Sequence, residues 1–398
     1  MTQLAILADD LTGAADTGVA FATRAVTLIT FTPHAPPADV LVLSTESRHL
    51  PRDQAVARVR AATAPVMHAT WIYKKIDSTL RGDPAGELAA LMDALGETRA
   101  LIAPAFPAQR RITRDARQYV DGVPLEQSPF AREITTSDVR ALFASVAPTT
   151  SLALDVVRAD ITAIHARLQD AQLVIADAET DADLARLAQA ALAARVRVWC
   201  GSAGLARALA QHLTLESSVP APHVPPAPRG ITLAVIGSQH TRSRAQVEWA
   251  RARGIAVVQP DTRILNAPDS NGFDALALDR DTILTTCGLD HLPIEGEIIA
   301  ARLARLVRRI VTRGGIGKLV LSGGDIAAAV CRALEADALW LHGEVEPGVP
   351  HGILLGGLGA GIRVVTKAGG FGDDETVWRM TNDEGRRTKD ERRRTDDE

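Results

Sequence analysis

The chain has 398 residues, long enough for two domains, with 46% apolar and 23% charged residues, an ordinary soluble composition. A formal net charge of −4 leaves no basic footprint for nucleic acid, and three widely separated cysteines (Cys200, Cys287, Cys331) argue against a disulfide framework and fit a reducing cytosol. No apolar run reaches transmembrane length and Asp9 and Asp10 stand where a signal peptide would be apolar, so the expectation is a cytoplasmic protein with neither membrane nor nucleic-acid partners.

Leu4–Ala8 (LAILA) reads as a short buried strand, followed at once by Asp9, Asp10, Leu11, Thr12 and Gly13 and then by a helical pattern. Strand-like runs recur at Val26–Thr30, Val40–Ser44, Trp71–Lys75, Ala100–Ala103, Leu152–Val156, Leu173–Asp177 and Val196–Trp199, with helical segments such as RDQAVARVRAATA and DADLARLAQAALAARV between them. Strands alternating with helices of this length predict a mostly parallel, doubly wound α/β sheet whose ligands lie beyond the strand C-termini. This first α/β domain is expected to span residues 1–215. Residues 216–230 contain five prolines and no periodic apolar pattern, which predicts an extended linker. A second α/β domain is expected over 231–381, from strands at Ile231–Gly237, Ile255–Gln259 and Thr282–Thr286 and helices at Thr241–Arg253 and Glu295–Thr312. Residues 382–398 carry dense mixed charge with no apolar face, as in a frayed helix end or a disordered tail.

Two apolar runs empty into glycine turns, KLVLSGGD at Lys318–Asp325 and VVTKAGGFG at Val364–Gly372. The first turn leads into the helical pattern AAAVCRALEA. A strand, a glycine turn and a helix N-terminus offer backbone N–H groups and a positive dipole end to phosphate, so two such turns suggest a nucleotide tail held from two sides. Other glycine strings fail on context. GGIGK at Gly314–Lys318 is followed by Leu319 and a strand, not by a magnesium-binding hydroxyl and a helix. GGLGAG at Gly356–Gly361 runs into a strand, CGSAG around Ser202 lacks the first glycine of a nucleophile elbow, and the ten histidines show no close ligand spacing.

Three polar clusters fall at strand exits of the first half. Asp9-Asp10 places two carboxylates at one, as a helix cap or as catalytic groups. Lys74-Lys75-Ile76-Asp77-Ser78-Thr79-Leu80-Arg81-Gly82 packs cations, a carboxylate and hydroxyls at another, the mixture a small polyhydroxy acid needs. Glu46-Ser47-Arg48 supplies a further candidate carboxylate clamp.

ADDLTGAADTG, TESR, KKIDSTLRG, APAFPAQRR with YVDGVPL, GSQHTRSRAQ, SGGD and TKAGGFG occur in the order and spacing of the four-carbon acid sugar kinase family, and the resemblance covers roughly residues 1–380. Members of that family phosphorylate threonate, erythronate or 3-oxo-tetronate with ATP. The resemblance implies two α/β domains with mainly parallel sheets, an N-terminal one for the sugar acid and a C-terminal one for ATP, with the ligand cleft between them. It implies a sugar-acid site of Asp9, Asp10, Arg48, Lys75, Asp77, Ser78, Thr79 and Arg81. It implies an ATP site of Ser238, Gly323, Gly324, Asp325, Ile326, Gly369, Gly370 and Gly372. Lys367 could neutralise phosphate charge and Asp325 could hold Mg²⁺. Asp10 and Asp77 are both candidates to accept the substrate proton at the 4-hydroxyl. The chain departs from the family pattern at four positions: Arg110 and Ile112 stand in the family's Gly-Arg-Thr-Thr string, Ala116 replaces a glycine, and Ile326 replaces the threonine after the acidic residue. Those departures carry an alternative reading, a catalytically weakened protein that binds a sugar acid or nucleotide. Ala-rich helices and the resemblance allow a homodimer.

Overall fold

A computed structural model describes residues 2–238, 240–260, 278–288 and 296–381. The charged tail and the expected helix start at Glu295 lie outside the described residues. The chain divides into two compact units, one formed by Met1–Ile29 with Pro37–Ala221, the other by Thr30–Pro36 with the chain from Pro222 on.

In the first unit the strands are β1 (Leu4–Ala8), β2 (Thr27–Thr30), β3 (Val40–Ser44), β4 (Trp71–Lys75), β5 (Ala100–Ala103), β6 (Arg111–Arg114), β7 (Arg117–Val120), β8 (Val123–Pro124), β9 (Thr149–Leu152), β10 (Leu173–Ala176) and β11 (Val198–Gly201). Its main sheet has the order β2-β3-β1-β4-β11-β5-β10-β9, and from β3 to β9 every neighbouring pair is parallel. Every residue of β1, β5, β10 and β11 is buried, as strands covered by helices on both faces must be, and the uninterrupted apolar runs reflect it. The helices include α1 (Leu11–Gly18), α2 (Arg52–Thr63), α3 (Pro84–Leu95), α4 (Val139–Phe143), α5 (Leu154–Arg158), α6 (Ile161–Asp170), α7 (Asp181–Ala193) and α8 (Ala203–His212). Their starts are written locally. Asp10, Asp83 and Ser202 cap α1, α3 and α8 through their side-chain oxygens, and Thr180 with Asp183 forms a capping box on α7. Leu7, Ile72, Ile102, Ile175 and Val198 share one continuous core.

Two features differ from the expectation. The expected strand at Leu152–Val156 ends at Leu152, and Leu154–Arg158 is helical, because residues 149–152 pair with β10 in the parallel register that leaves Leu152 last. The segment Arg111–Pro124 forms a small antiparallel sheet, β6-β7-β8, whose short polar strands carry no apolar periodicity to announce them.

In the second unit β12 (Ile231–Ile236), β13 (Ala256–Val258), β14 (Thr282–Thr285), β15 (Ile316–Ser322), β16 (Ala338–Glu346), β17 (Val349–Leu355) and β18 (Arg363–Lys367) are ordered β13-β14-β12-β15-β18-β17-β16. The first five strands in that order run parallel, and β17 and β16 add an antiparallel hairpin at one end. Helices α9 (Thr241–Ala252), α10 (Gly296–Thr312), α11 (Gly324–Ala333) and α12 (Thr376–Thr381) follow strands or turns of this sheet. Residues 214–230 have no regular structure.

Candidate functional site

The topology of the first unit decides which loops meet. The chain lays β3 on one side of β1 and β4 on the other, so strand order reverses between β1 and β4, the place where doubly wound sheets bind ligands. The strand ends are level: Ala8 pairs with both Ser44 and Lys75, and Lys75 pairs with Gly201. Residues far apart in sequence therefore leave the sheet side by side.

Arg48 sits between the two carboxylates of the β1 exit. Its Nε and Nη2 donate to Asp9 at 2.7 and 2.8 Å, and its Nη1 and Nη2 donate to Asp10 at 2.9 and 2.8 Å. Asp10 also accepts from the Gly13 N–H at 2.9 Å and from Thr12 Oγ1 at 2.7 Å, so each of its oxygens carries two donors and its acceptor capacity is filled. Burial disfavours the charged form of Asp9, but the Arg48 guanidinium outweighs it and holds the carboxyl below its ordinary range. Gly13 is required where it stands, since a Cβ there would collide with Asp10 Oδ1 and lie 3.0 Å from Lys75 Nζ.

Lys74 and Lys75 point to opposite faces of β4, as successive strand residues do. Lys74 is fully buried, forms a 2.7 Å ion pair with Glu87 of α3, and donates to the Lys75 carbonyl at 2.9 Å; Ser47 Oγ donates to the other Glu87 oxygen at 2.7 Å. Lys74 is thus a core ion pair and takes no place in the polar exit loop. Lys75 turns to the Asp9–Asp10 side, and no described residue makes a hydrogen bond or ion pair to its Nζ. A buried ammonium whose donors are not taken up by hydrogen bonds is chemically suited to an incoming anionic group.

Asp77 accepts from Thr79 Oγ1 at 2.6 Å and from Arg81 Nε at 2.5 Å, both on Oδ2, while among the described residues nothing donates to Oδ1. Burial opposes its charge, yet Arg81 and Arg48 hold its carboxyl well below the usual range. Ser78 Oγ accepts from Arg111 Nη1 at 2.8 Å, and the Ser78 carbonyl accepts from Gln118 Nε2 at 2.7 Å. Arg81 and Arg111 both lie over the ring of Phe130, at 5.4 and 5.9 Å from its centroid. The loop therefore concentrates Arg48, Lys75, Arg81 and Arg111 around carboxylates and hydroxyls. Every expected member of the sugar-acid site lies at these adjoining strand exits. Arg111, Gln118 and Phe130 join them without having been singled out in sequence, because a hairpin and a loop of no clear periodicity deliver them.

The second unit repeats the logic. Its strand order reverses between β12 and β15, and Ile236, Ser322 and Lys367 are paired level with one another. The turn after β12 carries Ser238, that after β15 carries Gly323 and Gly324, and that after β18 carries Gly369, Gly370 and Gly372. Gly323 has φ 104° and caps α11 without a side-chain hydrogen bond, so the N–H groups of the first turn of α11 are open to an incoming acceptor. Asp325 is exposed beside them. Ser238 Oγ packs against the Cα of Gly369, Ser243 Oγ donates to the Gly369 carbonyl at 2.9 Å, and Gln246 Nε2 donates to the carbonyls of Phe371 and Asp373 at 3.0 and 2.7 Å. Two side chains hold the turns themselves. Lys367 is buried and its ammonium donates to the carbonyls of Ala368, Gly369 and Phe371 at 2.9, 3.2 and 3.2 Å, so its three donors organise the glycine turn. Ile326 is buried, and a Cβ on Gly237 would lie 2.6 Å from its Cδ1, so it wedges the β15 turn against the β12 turn. Among the described residues no group of three or more His, Cys, Asp or Glu side chains could hold a metal; Asp325 offers one exposed carboxylate at the β15 turn.

Each α/β unit thus gathers polar groups or open glycine turns at the strand exits of its order reversal, the place where such sheets bind ligands. Residues 4–209 match the model of a sugar-binding N-terminal domain and residues 233–377 that of a nucleotide-binding C-terminal domain. The chain is 33% identical to a D-threonate kinase of Salmonella typhimurium and 37% identical to one of Cupriavidus necator, in each case over 94% of this chain and 96% of the relative. A crystal structure from Salmonella typhimurium LT2 superposes with a TM-score of 0.75 at 21% identity, covering 94% of this chain and 97% of that one, which shows a shared fold. The chain belongs to the four-carbon acid sugar kinase-like family.

Proposed function

We propose that this protein is an ATP-dependent kinase that transfers the γ-phosphoryl group to the terminal 4-hydroxyl of a four-carbon sugar acid of the D-threonate or D-erythronate type. The observation that carries the reading is Lys75, a buried ammonium on the Asp9 side of the strand-order reversal with no hydrogen bond or ion pair among the described residues, surrounded by donors and acceptors suited to hydroxyls. The names of the full-length relatives supply the reaction class. In this proposal Lys75 receives the substrate carboxylate, Arg81 and Arg111 flank it, and Ser78 and Thr79 address its hydroxyls. Asp9 and Asp10 grip Arg48 and set its plane.

The transferring group needs positioning and charge stabilisation more than covalent help. Of the two candidate carboxylates, Asp77 has an oxygen without a donor among the described residues, whereas both oxygens of Asp10 are filled. We therefore assign Asp77 Oδ1 as the group that orients the attacking hydroxyl and Asp10 as the holder of Arg48. The nucleotide is assigned to the second unit: the turn at Gly323 and Gly324, the N-terminus of α11, Ser238 and the Gly369–Gly372 turn fit its phosphates. Asp325 suits a Mg²⁺ ion held mainly by phosphate oxygens and water, which supplies charge neutralisation when bound. The departures at Arg110 and Ile326 leave these donors in place, so the weakened-kinase reading gains no support from them.

ADP release should be measured with Mg²⁺ and ATP against D- and L-threonate, D- and L-erythronate and the 3-oxo-tetronates. Turnover of one acid, abolished by Lys75→Ala, is the expected result. No turnover of any acid by a protein that still binds ATP in calorimetry would overturn the reading.

A further inference from the structure

Asp177, at the end of β10, is 2% exposed and accepts two backbone hydrogen bonds, from Asp115 N–H on Oδ2 and from Ala116 N–H on Oδ1, both at 2.8 Å. Those two residues are the turn between β6 and β7, and both have positive φ, 51° and 56°. Two consecutive positive φ values favour glycine or asparagine; alanine in particular resists them, so this turn needs an external hold. The same segment stitches the hairpin again, through the exchange of backbone hydrogen bonds between Thr113 and Ala178 at 2.9 and 3.0 Å. Along the arm, Arg111 at its base reaches Ser78 Oγ, and Gln118, opposite Thr113, reaches the Ser78 carbonyl while its Oε1 accepts from Thr113 Oγ1 at 2.7 Å. The hairpin is an arm with its tip fixed on Asp177 and its working side chains on the 77–81 loop.

We propose that Asp177 is a positioning residue of the sugar-acid site, which holds the 111–120 hairpin so that Arg111 and Gln118 fix Ser78 and the loop that carries Asp77. The kinetic part rests on the kinase reading above. The anchoring itself stands on the contacts of the hairpin alone.

The hold is sensitive to acid. Burial pushes the Asp177 carboxyl up to about 6 against the opposing pull of the Ala116 and Asp115 N–H groups; the Asp115 carboxylate raises it further and Arg140 of α4 lowers it. Beyond these, Arg114 and Glu179 pair with each other. Below that pH one Asp177 oxygen carries a proton and one of the two charge-assisted bonds to the turn weakens.

The test compares wild type, Asp177→Asn and Asp177→Asn with Ala116→Gly. Asp177→Asn should raise the KM for the sugar acid roughly tenfold, the loss of one charge-assisted hydrogen bond, with a smaller change in kcat. It should also abolish the component of the KM rise that wild type shows between pH 7 and 5; the difference of the two profiles cancels the titration of ATP itself. Glycine at 116 adopts positive φ freely and should restore much of the KM. Hydrogen exchange of the 111–120 amides should accelerate in Asp177→Asn whether or not any acid is turned over. Unchanged exchange, or a wild-type KM and pH profile in Asp177→Asn, would overturn the proposal. A wild type that turns over none of the acids would overturn the kinase reading and the site assignment while leaving the exchange result to judge the anchor.

Discussion

Lys74 and Glu87 form a 2.7 Å ion pair whose side chains are 0% and 1% exposed, one residue away from the ammonium assigned to the substrate. Alternation along β4 separates a structural lysine from a functional one in adjacent positions. Lys74→Met leaves Glu87 charged and unpaired in the core, and should cost about 3–5 kcal/mol in urea unfolding; Lys74→Met with Glu87→Leu should recover most of it. Lys75→Ala should leave the unfolding midpoint nearly unchanged. Equal destabilisation by the two single substitutions would refute the separation.

Asp77→Asn and Asp10→Asn should differ in kind. Asparagine at 77 keeps the shape but removes the acceptor assigned to the hydroxyl, and kcat should fall by about 10²–10⁴. Asparagine at 10 still caps α1, because it is as good an N-cap as aspartate. It gives up part of its grip on Arg48, so its larger effect should be on KM. Steady-state kinetics of both variants, with KM lost at 77 and kcat lost at 10, would reverse the assignment.

Arg110 has φ 56° and an 81% exposed side chain paired with Asp121, so Arg110→Gly should stabilise the protein by about 1 kcal/mol with unchanged kinetics. Ile326→Thr introduces the threonine that the family resemblance implies, yet here it replaces the buried Cγ1–Cδ1 arm that wedges against Gly237 with a hydroxyl. It should destabilise by about 1–3 kcal/mol and raise no activity. A gain in turnover from either change would revive the weakened-kinase reading.

Burial lowers the Lys367 ammonium to about 8, below its unfolded value near 10.5. Between those values the unfolded chain binds more protons, so this group's contribution to stability rises with pH, by up to about 3 kcal/mol. The turn behaves oppositely: a neutral amine has two donors for three carbonyls, so ATP affinity should weaken as pH rises through about 8. Calorimetric titration of ATP at pH 7 and 9 checks this, and equal affinities would show that the turn does not depend on the charge of Lys367.

Much of this molecule is legible in its sequence because parallel strands buried on both faces are written as plain apolar runs, and their exits as polar clusters. LAILA before Asp9 and WIYKK before Asp77 name both the strand and the site. The hairpin of residues 111–120 is not legible, since its strands are short and polar, and its turn uses Asp115 and Ala116 where a reader expects glycine. The fate of Lys367 escapes for a different reason. A lysine beside a glycine turn looks alike in sequence whether its ammonium reaches outward or folds back onto carbonyls, and only the three distances at Lys367 decide it.

The segment Thr30–Pro36 groups with the second unit, and within it Thr32 Oγ1 donates to Asp337 Oδ1 at 2.7 Å across a separation of 305 residues. On the ribosome, residue 32 emerges long before residue 337. At a synthesis rate of about 5–20 residues per second, that segment waits roughly 15–60 s for its partner. The N-terminal α/β unit is complete by residue 221, yet it must hold open a short excursion of its own chain until the rest has been made. A nascent chain stalled between residues 221 and 337 should therefore expose residues 30–36 to protease while the flanking strands resist it.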